Sequence, residues 1–237
     1  MKLQKLYSYV RKALADYNMI LPGDRVAVGV SGGKDSLSLL YGLAGLRRFY
    51  PAAFDLEAIT VDLGYEGFDL TRVVDLCERL GVNYHIVKTS IGDMVSEGGC
   101  SLCARLRKGA FMVKVKDLSC NRIAYAHNRD DVVETMMLSL IYEGRFSAFE
   151  PVTFYEDQGV WLIRPLIYAP GADLTGFARR YCLPVTANPC PYEKKTERAY
   201  VRSLIREINL HAPDVRKRMM TAIRNGNLPG WDRDEYV

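Results

Sequence analysis

The sequence of 237 residues contains no run approaching the roughly 20 uninterrupted apolar residues that a membrane-spanning helix needs. Its first twenty residues carry Lys2, Lys5, Arg11, Lys12 and Asp16 among the apolar ones, so they lack the apolar stretch of a secretory signal and read as an amphipathic helix. These absences predict a cytoplasmic protein with no membrane partner. Histidine is scarce, and His85, His127 and His211 stand singly. Cys100 and Cys103 form a Cys-x-x-Cys pair with no second close pair to complete a zinc site. Repeats, low-complexity tracts and long linkers are also missing, which excludes solenoids and flexible arrays.

What is present is an ordinary globular composition, 49% hydrophobic and 25% charged. The net charge is only +4, but its placement is uneven. Residues 104–116 hold Arg105, Arg107, Lys108, Lys114 and Lys116 with no acid. Residues 191–225, which include Lys194, Lys195 and Arg198, hold nine basic residues against four acidic ones. The rest of the chain is therefore acidic, at about −6. Two basic surfaces of this kind suit a polyanion such as RNA, although solvated helix faces would look the same.

Short β-branched runs alternate with longer stretches of helical spacing. Strands are expected at 25–30, 56–61, 84–88 and 122–126, with helices at 34–49, 69–80, 102–118 and 130–142. A last short strand is expected at 163–166, then helices at 173–182, 193–209 and 213–225. The alternation predicts an α/β fold, a Rossmann-like parallel sheet flanked by helices, with a helical C-terminal extension. The expected divisions are an N-terminal helix at 1–20, a nucleotide-binding domain at 21–185 and a basic extension at 186–237. Ligands of such sheets bind beyond the carboxyl ends of the strands.

The turn Ser31-Gly32-Gly33-Lys34-Asp35-Ser36 lies between the first strand and its helix. Its glycines admit an anion close to the backbone, and the helix amides point at it. Ser31, Lys34 and Ser36 add donors, and Asp35 suits a cation such as magnesium. A Walker A loop is excluded, because Val28 stands where its first glycine belongs and Asp35 follows the lysine. The dinucleotide fingerprint G-x-G-x-x-G fails at Ser31. A second constellation, His127-Asn128-Arg129-Asp130-Asp131 with Glu134, falls at the carboxyl end of the fourth strand. Its acids could hold magnesium or orient substrate, and acids are also common at a helix start. Asp62, ending the second strand, is either a nucleotide contact or the start of a turn at Gly64.

In a reducing compartment the six cysteines are not expected to form structural disulfides. The Cys100–Cys103 pair opens a basic helix and suits zinc, an iron–sulfur cluster or a redox disulfide. Cys190, in "NPCPYEKK", is a possible further soft ligand. Cys77, Cys120 and Cys182 fall in periodic positions and read as core thiols.

The hexapeptide SGGKDS matches the signature of the PP-loop ATP pyrophosphatases. With "CSLCARLRKG", "HNRDD", "IRPL" and the late cysteine, the chain resembles the tRNA 2-thiocytidine synthetases, the TtcA family. It departs from that pattern in having only Cys190 near the late position and Asn128 where a second histidine is common. The resemblance implies ATP bound by Ser31 to Ser36 with Asp62 and His127, and magnesium near Asp35 and Asp130. It implies a 4Fe–4S cluster on Cys100, Cys103 and Cys190, and catalytic roles for Lys34, Asp35, Asp130, Asp131 and the cysteine pair. It also implies a tRNA substrate gripped by Arg105, Arg107, Lys108, Lys194, Lys195 and Arg198, a sulfur donor such as a cysteine desulfurase, and a homodimer. Amidating enzymes of the same superfamily, small-molecule sulfur transfer and a non-catalytic sensor are the competing readings.

Overall fold

Val26, Ala27 and Val28 have no solvent exposure because their strand, β1 (Arg25–Gly29), lies in the middle of a six-stranded sheet with both faces covered. The computed structural model describes residues 1–95, 99–186, 189–190 and 197–232. Around β1 the chain runs α1 (Leu3–Asp16), α2 (Lys34–Leu46), β2 (Asp55–Asp62), α3 (Thr71–Leu80), β3 (Asn83–Lys88) and the single turn α4 (Ile91–Met94). It continues through α5 (Cys100–Asp117), β4 (Arg122–Ala124) and α6 (Arg129–Tyr142). Next come β5 (Val152–Tyr155), a 3₁₀ turn at Glu156–Gln158, β6 (Val160–Ile163), α7 (Gly171–Arg180), α8 (Glu197–His211) and α9 (Val215–Asn225).

The strand order is β3-β2-β1-β4-β6-β5, with every pair parallel except β5–β6. The order reverses between β1 and β4, so a crevice opens beyond their carboxyl ends. The strand expected at 163–166 instead ends at Ile163, and Val152–Tyr155 pairs with it in an unexpected antiparallel hairpin. A short edge strand closed by a 3₁₀ turn has too few residues to show a period.

One apolar core runs through the three segments that the sequence delimits. Leu6, Val10, Ala13 and Leu14, at helical spacing on α1, are fully buried with Leu39, Leu43, Val201, Ile205 and Ile223. Tyr17 meets Trp231 edge-on at 6.3 Å, joining the two ends of the chain. A second cluster beneath α5 gathers Phe111, Val115, Cys120, Ile59 and Ile123. Cys77 and Cys120 are buried as expected, and burial pushes their thiols up to about 12 and 11. Cys182 is exposed, contrary to expectation. It lies past the end of α7 at φ 48°, in the turn between that helix and the buried Leu183. Among the described residues no helix is long and apolar enough to cross a membrane.

Candidate nucleotide and cysteine site

Val30 leaves β1 at the crevice, and the next residues form an anion-shaped loop. Gly32 adopts φ +77°, and a side chain there would stand 3.2 Å from Thr186 Cβ, so both conformation and space require glycine. Gly33 caps α2 in an extended conformation with no side-chain hydrogen bond, leaving amides at the helix start to a ligand. The Ser36 hydroxyl braces the loop by donating to Gly33 O (3.0 Å) and accepting from Ser31 N–H (3.1 Å). Lys34 Nζ lies 2.7 Å from both carboxylate oxygens of Asp35.

The second constellation faces this loop across the crevice. Asn128 caps α6, accepting from the N–H groups of Asp130 and Asp131 while Asp131 Oδ2 accepts from Asn128 N–H at 2.9 Å. This capping box fixes the helical phase and decides which acid looks inward. Asp131 is held above the ordinary carboxylate value, by burial first and then by the charges of Asp35 and Glu134. The Asn128 hydrogen bond and Arg198 pull it the other way. Asp130 is held by its neighbours: Oδ1 accepts from Arg129 and Oδ2 from Gly171 N–H at 3.1 Å, which ties α6 to α7. His127 packs against Phe149 (4.9 Å between ring centres) and Tyr125 (6.0 Å), and its buried Nδ1 has no hydrogen-bond partner. Burial, then the charges of Arg164 and Arg198, lower its pKa to about 4, so the ring is neutral at pH 7.

Behind the acids, Glu134 is 2% exposed and is gripped at both oxygens by Arg202, at 2.8 and 3.0 Å. Arg198 donates to Thr135 Oγ1 at 3.2 Å and lies 3.8 Å from Glu134. Two arginines of the basic C-terminal segment therefore serve the crevice. Arg198, expected on an RNA face, lies partly exposed with its guanidinium toward Thr135 and Glu134. Arg164, the arginine of "IRPL", is buried over the Phe149 ring and donates to Thr153 Oγ1 and to Glu150 O.

Cys100 and Cys103 occupy the first turn of α5, three residues apart and so on one face, at the same end of the sheet. Cys100 is exposed, and Cys103 and Cys190 are half-buried. All three contrast with the buried Cys77 and Cys120 in reaching solvent. Their exposure and chemistry suit a soft metal centre that a deprotonated thiolate must hold. Among the described residues no three His, Cys, Asp or Glu side chains gather into a metal group. Cys190 nevertheless has a tether. Thr186 N–H donates to Gly32 O at 3.0 Å and its hydroxyl to Asp69 O at 3.2 Å. Four residues span at most about 14 Å, so Cys190 lies within that reach of the phosphate loop.

The family model for the PP-loop domain matches residues 3–208. The tRNA-cytidine(32) 2-sulfurtransferase of Geobacter metallireducens is 34% identical over 232 residues, covering 94% of this chain and 90% of that protein. Its counterpart from Pelobacter propionicus is 36% identical, covering 94% and 86%. The chain belongs to the PP-loop family of tRNA-cytidine(32) 2-sulfurtransferases. A solved relative, the U34-tRNA thiolase NcsA from Methanococcus maripaludis with its [4Fe-4S] cluster, superposes with a TM-score of 0.76 at 27% identity. It covers 99% of this chain and 79% of that one.

Within this sulfurtransferase family member, the remaining expected site residues separate. Asp62 Oδ1 accepts from Gly64 N–H at 3.0 Å, which is the turn-forming alternative. Arg105, Arg107 and Lys108 are exposed on α5, while Lys194 and Lys195 lie outside the described residues. Thr186 and Arg202 escaped the sequence reading. The only local signal among these contacts was the Asn-x-x-Asp spacing of the capping box.

Proposed function

We propose that this chain activates the C2 oxygen of a tRNA cytidine with ATP and replaces it with sulfur. The observation that carries the reading is the juxtaposition, at one end of the sheet, of an open phosphate loop, two facing acids and a non-core cysteine pair. The names of the curated relatives and the cluster of the NcsA neighbour favour sulfur over nitrogen as the incoming atom.

The difficulty is that a pyrimidine C2 oxygen has no way to leave. When it attacks the α-phosphorus of ATP, the new O–P bond replaces the bond to the β-phosphate, and pyrophosphate departs. The uncapped start of α2, with Ser31, Ser36 and Lys34, would hold the departing charge by preorganised donors. Lys34 would exchange Asp35 for phosphate, and Asp35 and Asp131 are the carboxylates that would hold a magnesium ion, which would supply neutralising charge to the leaving pyrophosphate. Asp130 keeps α7 in place. The unpartnered nitrogen of neutral His127 would offer the nucleotide one hydrogen bond without adding charge. Arg198 supports the pyrophosphate side of the crevice. Sulfur at the sulfide level then attacks C2, the C–O bond breaks, and AMP leaves with the base's original oxygen, so no net electrons are consumed. A 4Fe–4S cluster on Cys100, Cys103 and Cys190 would supply sulfur in nucleophilic form. A donor such as a cysteine desulfurase hands sulfur over as a persulfide, so replenishing it by that route would also take a two-electron reductant such as a dithiol.

The test uses protein kept free of oxygen, with unmodified tRNA, ATP, magnesium and sulfide. Nucleoside mass spectrometry should find 2-thiocytidine, with one AMP and one pyrophosphate per sulfur. ADP as the nucleotide product, or AMP without any thionucleoside, would overturn the reading.

A further inference from the structure

The basic stretch of α5 is one run in sequence but two surfaces in space. Arg107 follows Cys103 by four residues and so shares the cysteine face of α5. Arg105, Lys108 and Lys116 fall three and eight residues apart on another face. They line a groove of about 480 Å³ between α5 and the β5 hairpin. The opposite wall is aromatic. Phe154 is 43% exposed and stacks on Trp161 at 4.6 Å, and Tyr155 lies 3.8 Å beneath the Lys108 ammonium. Among the described residues, none of the three cations is paired with a carboxylate.

We propose that this groove is a track on which an RNA strand runs along α5 toward the helix's first turn. Phosphates would sit on Arg105, Lys108 and Lys116, with one unstacked base on Phe154. The inference rests on the thiolation reading and adds to it where the substrate lies. Charge selects the occupant. A cationic rim over an exposed aromatic face combines backbone attraction with base stacking, the pairing used for single-stranded nucleic acid. Arg105 stands two residues beyond Cys103, so the upper end of the track is level with the first turn of α5, whose cysteine pair lies on a different face of the helix. The eleven steps from Arg105 to Lys116 carry it along about 16 Å of helix. Glu156 and Asp157, in the 3₁₀ turn at the groove's edge, repel phosphate and mark where the strand leaves.

The experiment measures tRNA affinity across a range of salt concentrations for the wild type, for a Lys108→Ala/Lys116→Ala double variant and for Phe154→Ala. The double variant should bind about tenfold more weakly, and its salt slope should fall by about 1.4, two single-strand phosphate contacts' worth. Phe154→Ala should lose about tenfold in affinity with an unchanged slope, since stacking releases no counterions. ATP affinity at wild-type level in both variants shows that the fold persists. Unchanged tRNA affinity and slope in both variants, beside a wild type that thiolates tRNA, would overturn the groove and leave the thiolation reading intact. A wild type that binds tRNA with these variant effects but installs no sulfur would do the reverse. A wild type that binds no tRNA would overturn both.

Discussion

The two ends of the parallel sheet differ in one buried acid: the amino end pairs Asp24 and Glu57 with cations, while the carboxyl end pairs Glu134 with Arg202 but gives Asp131 no ion pair among the described residues. At the amino end, Asp24 is 5% exposed and accepts from Arg122 Nε (2.8 Å), Asn121 Nδ2 (2.7 Å) and Leu21 N–H (2.7 Å). Beside it Glu57, 2% exposed, meets His85 (2.9 Å), Arg25 (3.0 Å) and Asn83 (3.3 Å). Burial alone would raise the Glu57 carboxyl, but these hydrogen bonds bring it below its usual value. At the carboxyl end Asp131 is raised instead, because burial and the neighbouring acids outweigh its partners, and His127 keeps an unpartnered nitrogen. A protein that satisfies its carboxylates at one end has the means to do so at the other. The unmet electrostatic demand at the carboxyl end is therefore what a cation and a polyphosphate would complete.

The largest effect should come from breaking the sealed end. Asp24→Ala strands the buried Arg122 guanidinium and should cost about 3–5 kcal/mol of stability. Denaturant titration would show it, while AMP formation per folded molecule stays near the wild-type rate. Next comes the opposite dissociation at the open end. Asp35→Asn relieves repulsion with Asp131, so stability should hold or rise slightly. Pyrophosphate release should nevertheless fall by about 10²–10³, the scale of a lost preorganised electrostatic contact. If Asp35→Asn destabilised the fold as much as Asp24→Ala, the contrast between the two ends would be wrong.

The sequence shows the sealed end poorly and the open end well, for a physical reason. The phosphate loop is contiguous, so Ser31 to Ser36 carry their chemistry and its strand–turn–helix setting in one local string. The alternation of strands and helices likewise exposes the parallel sheet. Asp24 and Arg122 are 98 residues apart, and Thr186 reaches Gly32 across 154, so no local spacing reveals either contact. The choice between the adjacent acids Asp130 and Asp131 hangs on helical phase. That phase is set by the Asn128 cap, and a shift of one residue would exchange their roles. The antiparallel strand Val152–Tyr155 is four residues long, too short for alternation to distinguish it from a loop. Arg198 and Arg202 look like ordinary members of a basic helix until Glu134 is seen beneath them.

The smallest effect sharpens the comparison through pH. The His127 ring is neutral in the folded chain down to about pH 4, whereas an unfolded histidine takes its proton near 6.5. Between those values the unfolded state binds the extra proton, so the stability linked to His127 is fully present above about pH 6.5 and drains away as pH falls toward 4. Asp131 acts with the opposite sign. Its raised carboxyl is protonated in the fold at pH values where the unfolded one has ionised, so its contribution shrinks as pH rises out of the ordinary carboxylate range. Melting temperatures measured from pH 4 to 7 should fall less steeply on the acid side in His127→Gln than in the wild type. Asp131→Asn should instead steepen the acid-side fall, because the opposing contribution is gone. Parallel profiles for both variants would mean that neither group is buried in the state that unfolds, and the two ends of the sheet would then differ in name only.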